Sequence, residues 1–73
     1  MDRQSVESRL IRAIGYDPAA SILEVELVKS GRIYRYFDVP FSAYDDLIEA
    51  ESKGNHFNEH IRDFFAYEED LPA

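Results

Sequence analysis

The sequence predicts an α+β domain: a three-stranded antiparallel sheet followed by two helices packed on one face, in the order β-β-β-α-α. Three observations carry this. Residues 22–28 and 32–39 alternate apolar and polar side chains on either side of Gly31, the pattern of a half-buried hairpin. After Pro40 the apolar period changes to one helical turn. A chain of 73 residues has room for one core only, so the two patterns must pack on each other.

The elements follow in order. Residues 1–5 are expected to fray, as is the acidic end "EEDLPA", leaving a core over roughly residues 8–67 of a single domain, 1–73. "RLIRAIGY" is rich in Ile and Leu but alternates poorly, which predicts a strand with a bulge near Ala13 or Gly15. "GYDPAAS" is a turn, since Asp17-Pro18 presets its geometry and Pro18 has no N–H for a ladder. "ILEVELV" sets Leu23, Val25 and Leu27 on one face and Glu24 and Glu26 on the other. "RIYRYFDV" is its partner strand.

That last strand holds Tyr34 and Tyr36, either a platform for a ligand to stack on or the inward face of a strand. With Ser30-Gly31 as the hairpin tip, Val25 faces Tyr36, Leu27 faces Tyr34 and Glu26 faces Arg35. Slipping by one residue sets Glu26 against Tyr34 and scrambles both faces. The rings are therefore expected in the core with their hydroxyls at the rim, and Glu26–Arg35 as an exposed ion pair. In "PFSAYDDLIEAES", Phe41, Tyr44, Leu47 and Ile48 form a helical stripe, with Ser42 and Asp45 spaced as a capping box. "NHFNEHIRDFFAY" repeats the pattern with Phe57, Ile61, Phe64 and Phe65. Gly54 is expected to end the first helix and Asn55 to cap the second.

Composition excludes several roles. The chain has no cysteine, so neither a disulfide nor a thiolate metal site supports it. Its apolar runs are far shorter than a membrane span, and "MDRQSVESR" lacks the apolar stretch of a signal peptide; a soluble, cytoplasmic protein is expected. The net charge of −7 is unevenly spread: residues 1–36 carry +1 and residues 37–73 carry −8. Any surface for an anion belongs to the first half.

With the elements placed, the chain resembles the KTSC domain, a small bacterial family found free-standing and at the C-terminus of some lysyl-tRNA synthetases. The resemblance rests on Ser8, Ile11, Ile14-Gly15-Tyr16-Asp17, Tyr34-x-Tyr36, Val39-Pro40, Ala50, Ser52, Gly54, Phe57-Asn58 and Ile61-Arg62. What it implies is a small binding module, with RNA as the suggested partner.

An RNA role needs rings for bases and cations for phosphates. Tyr34 and Tyr36 supply the rings. Lys29, Arg32 and Arg35, with Arg9 and Arg12 on the first strand, are the one basic group, and weak, salt-sensitive binding is the most they predict. The alternative is a protein-interaction or dimerisation surface on the outer sheet face or an edge strand, centred on exposed Ile33 and Phe37. Among the family residues, Gly15, Tyr16, Asn58 and Arg62 are read as structural, Arg62 pairing with Asp17 or a strand carbonyl. His56 and His60 are one helical turn apart, but no third histidine exists to complete a metal site, so no metal and no cofactor are expected. No nucleophile–base pair or phosphate-binding glycine loop is visible, and an enzyme is not expected.

Overall fold

The computed structural model describes residues 3–6 and 8–70. In chain order the elements are β1 (Arg3–Ser5), β2 (Ile11–Asp17), β3 (Ile22–Leu27), β4 (Ile33–Tyr36), α1 (Phe41–Glu49), α2 (Lys53–His60) and β5 (Tyr67–Asp70). The expected antiparallel strands followed by two helices are present as β2-β3-β4-α1-α2, and each end of the chain adds a short edge strand. The resulting five-stranded sheet is antiparallel throughout, in the order β1-β2-β3-β4-β5.

Both edge strands fall in segments that the sequence marks as frayed. The Arg3 guanidinium pairs with Glu24 across β2, and the Tyr67 ring lies 5.4 Å from that of Tyr36, so each segment gains contacts only the folded sheet offers. Met1, Asp2 and the final Leu71-Pro72-Ala73 of the expected frayed ends lie outside the described residues.

The bulge expected in β2 occurs between Ile11 and Ala13, and leaves Ile11 and Ile14 buried beneath the helices while Arg12 points to solvent. The Asp17 turn forms as its chemistry dictates: the carboxylate accepts from the Ala19 and Ala20 amides at 3.0 and 3.3 Å.

The β3–β4 hairpin differs from expectation by two residues. Leu23 faces Tyr36, Glu24 faces Arg35 and Val25 faces Tyr34. Gly31 adopts φ 69°, and its amide donates to the Leu27 carbonyl while the Leu27 amide donates to Arg32. A loop over residues 28–31 thus replaces a tight tip at Ser30-Gly31. A shift of two keeps every side chain on its face, so both tyrosines do point inward, but the ion pair moves from Glu26 to Glu24.

The core beneath the helices comprises Ile11, Ile14, Leu23, Val25, Tyr36, Val39, Leu47, Phe57 and Ile61. The helix ends correct three expectations. Helix α1 starts at Phe41 after Pro40, with no side-chain cap, so Ser42 and Asp45 do not form a capping box; φ −69° at Pro40 already suits the entry. Ser52, rather than Asn55, caps α2, its hydroxyl accepting from the Asn55 amide at 3.4 Å. Gly54 lies inside α2 instead of ending α1, where α2 passes so close to the residue preceding β2 that an added Cβ would sit 3.3 Å from Leu10 Cβ. Helix α2 also stops at His60, well before Tyr67. Phe64 consequently leaves the apolar stripe and is 66% exposed, while the chain turns back to bond the β4 edge through Phe37 N and Ala66 O. Among the described residues no helix is long and apolar enough to cross a membrane.

Candidate functional site

The two sheet faces have opposite characters. On the outer face, Arg3, Gly15, Glu24 and Arg35 stand in register on four neighbouring strands. Gly15 puts no side chain between Arg3 and Glu24, so the guanidinium reaches across it to the carboxylate. Arg35 Nε donates to the other Glu24 oxygen at 3.1 Å. Glu24 is only 4% exposed on what would otherwise be a solvent face, covered by these two arginines. Arg3 and Arg12 also approach Glu26, at 3.5 and 3.9 Å. Ile33 and Phe37, expected to be exposed here, are half-buried. The outer face is thus a charge-paired surface rather than an apolar one.

On the inner face, α1 and α2 cover the sheet incompletely. The Tyr36 ring, 2% exposed, meets Phe57 edge-on with centroids 5.7 Å apart. The Tyr34 and Tyr67 rings lie 6.5 and 5.4 Å from it, and 5.5 Å from each other. Because α2 ends at His60, these rings form one wall of a cavity of about 330 Å³, with Leu27 at one end and Arg62 and Asp63 at its rim. Two shallower depressions adjoin it. One, of about 400 Å³, is bounded by Leu27, Arg9, Lys29 and Ser30; the other, of about 440 Å³, runs past Arg9 to Ser52 and Asn58. Leu10 lines all three.

Burial pushes the Tyr36 phenol up to about 12, against a partial offset from the neighbouring Arg62 guanidinium, so the hydroxyl at the cavity stays a neutral donor. The Tyr34 hydroxyl donates to Glu69 Oε1 at 3.1 Å. Glu69 also binds Arg32, whose guanidinium is held more firmly charged by that hydrogen bond.

The structure therefore separates the expected basic group. Arg35 belongs to the outer face, Arg32 to Glu69 beside β5, and only Lys29 borders the inner groove. Arg9 joins Lys29 there, and neither makes an ion pair among the described residues. Tyr34 and Tyr36 share the inner face as expected; Tyr67, Phe57, Arg62 and Asp63 complete the wall and rim. The signal for Tyr67 was its aromatic character, hidden by the helical period of the preceding residues.

The expected structural residues have specific tasks. The Tyr16 hydroxyl donates to the Val39 carbonyl at 2.7 Å, and its ring stacks on Tyr44 at 4.8 Å, clamping α1 to β2. Arg62 does not reach Asp17; its Nη1 lies 3.4 Å from Asn58 Oδ1, one turn back. The His56 and His60 rings lie 4.6 Å apart, and no cluster of three metal-ligating side chains occurs among the described residues. Nothing in these contacts indicates catalysis.

Comparisons with known proteins agree with this architecture. A model of the KTSC domain matches residues 7–65. The chain is 48% identical over 59 residues to an uncharacterised protein of Stutzerimonas stutzeri, covering 81% of this chain and 82% of that one. It is 40% identical over 63 residues to a lysine–tRNA ligase of Nostoc punctiforme, covering 86% of this chain but only 11% of the ligase. A crystal structure of a KTSC domain protein from Yersinia pestis superposes with a TM-score of 0.91 at 36% identity, covering 94% of this chain and 96% of that one.

Proposed function

The chain belongs to the KTSC domain family, and from that premise we propose that it is a non-catalytic binding module whose inner-face groove holds a single-stranded stretch of RNA. The observation that carries this reading is the meeting of three depressions at Leu10, with tyrosine rings at one end and, at the other, the cations Arg9 and Lys29, which make no ion pair among the described residues. Stacking surfaces beside phosphate-neutralising cations are what single strands require.

The net charge of −7 is carried mostly away from the groove. Asp45, Asp46 and Glu49 lie on α1 and line none of the three depressions; Glu51 and Asp63 do border the groove, set against Arg9, Lys29, Lys53 and Arg62, while Glu24 and Glu26 are paired on the outer face. Relatives of this chain within lysine–tRNA ligases add support, since those enzymes act on an RNA. The outer face offers a protein partner less, its centre being the Arg3–Glu24–Arg35 network with Ile33 and Phe37 half-buried.

The test is a titration of fluorescent tRNA and of a single-stranded RNA, followed by anisotropy at low and at physiological salt. Binding is expected to be weak and salt-sensitive. The double variant Arg9→Ala/Lys29→Ala should bind less tightly, with a log–log salt slope smaller by about 0.7 per lost phosphate contact. Absence of binding even at low salt, or binding indifferent to both substitutions, would refute the reading.

A further inference from the structure

The aromatic cavity and its rim have a narrower chemistry than the groove as a whole. Its wall presents the exposed Tyr67 ring and the half-buried Tyr34 ring, backed by the buried Tyr36 and Phe57, and the first two are surfaces on which a flat heterocycle stacks with any base identity. Its rim is not indifferent to identity. Arg62 and Asp63 are consecutive residues in the turn after α2, both exposed and both bordering the cavity. Asn58 Oδ1 accepts from Arg62 Nη1 at 3.4 Å, which leaves the other guanidinium donors available. Asp63 makes no hydrogen bond or ion pair among the described residues, so its carboxylate is an open pair of acceptors.

A fork of donors next to a carboxylate selects among the bases. Guanine alone presents two adjacent N–H donor groups, N1–H and the 2-amino group, matching the two oxygens of a carboxylate. It also presents O6 and N7, the pair of acceptors an arginine fork binds best. Uracil would turn two carbonyls toward Asp63 around its single N–H. Adenine and cytosine each offer one amino group and leave half the carboxylate unmatched. We propose that the cavity between the tyrosine wall and the α2 end is a guanine pocket, with Asp63 accepting from the base and Arg62 donating to it. This rests on the reading of the groove as an RNA site, while the pocket's chemistry applies equally to a free guanine nucleotide.

The experiment measures binding of the full chain to the RNA heptamers UUUGUUU, UUUAUUU, UUUCUUU and UUUUUUU, and to guanosine 5′-monophosphate and adenosine 5′-monophosphate. The wild type should prefer UUUGUUU over the other three by about tenfold, at the low end of what one well-matched bidentate contact discriminates. Asp63→Ala, at an exposed position and checked for unchanged circular dichroism, should erase the preference while keeping residual binding to all four. Arg62→Ala should weaken UUUGUUU more than UUUAUUU. Equal affinity for the four heptamers overturns the guanine pocket and leaves RNA binding standing. A preference for guanosine over adenosine monophosphate without heptamer binding supports the pocket and removes the RNA reading. Failure of every probe to bind overturns both.

Discussion

The Tyr36 ring packs edge-on against Phe57, centroids 5.7 Å apart, and this contact between β4 and α2 joins the core to the candidate groove. Tyr36 is both the largest fully buried side chain and part of the cavity wall. Truncating Tyr36→Ala should destabilise the chain by about 3–5 kcal/mol, through lost burial plus the void left behind. Tyr36→Phe keeps the ring, and should cost less than about 1 kcal/mol because the hydroxyl has no hydrogen-bond partner within the described chain. Urea unfolding followed by far-UV circular dichroism separates the two.

The same residue predicts an alkaline transition. Burial raises the Tyr36 phenol from its ordinary 10.0 to about 12. Between those values the unfolded chain loses the proton while the folded chain keeps it, so stability, complete below pH about 10, declines as pH rises to about 12. The linked loss is about 2–3 kcal/mol. In Tyr36→Phe the decline in urea midpoint over this range should shrink markedly.

Much of this arrangement was legible in the sequence, and the part that was not has physical causes. Alternation in residues 22–36 determined which face each side chain takes, and placed Tyr34 and Tyr36 beside the helices. It left the register open to shifts of two, because a period of two does not distinguish them; the loop chemistry around Gly31 made that choice. Strand β5 was hidden because Tyr67–Asp70 carries no apolar alternation and forms only where β4 offers an open edge. The basic group was misplaced for a related reason. Lys29, Arg32 and Arg35 are near in sequence, but strand parity sends Arg35 to the face opposite the tyrosines, whereas Arg9 reaches the groove from a distant segment.

On the outer face, Glu24 is the anion that holds β1 and β4 to the centre of the sheet. Replacing Glu24→Ala removes the carboxylate that Arg3 and Arg35 share and leaves Arg3 its longer contact with Glu26. Both arginines are partly exposed and regain water, so the cost should be about 1–3 kcal/mol, below that of a fully buried pair. Hydrogen exchange should show the loss first at the β1 amides. An unchanged melting temperature would show that the network contributes nothing net.

Which face of the sheet meets RNA is decided by titrating RNA into the isotopically labelled chain and following its amide chemical shifts. Shifts should concentrate at Leu10, Leu27, Lys29, Tyr34, Tyr36 and residues 61–63, with Glu24 and Arg35 on the outer face unmoved. Shifts confined to the outer face, or spread evenly over the basic residues of both faces, would contradict it.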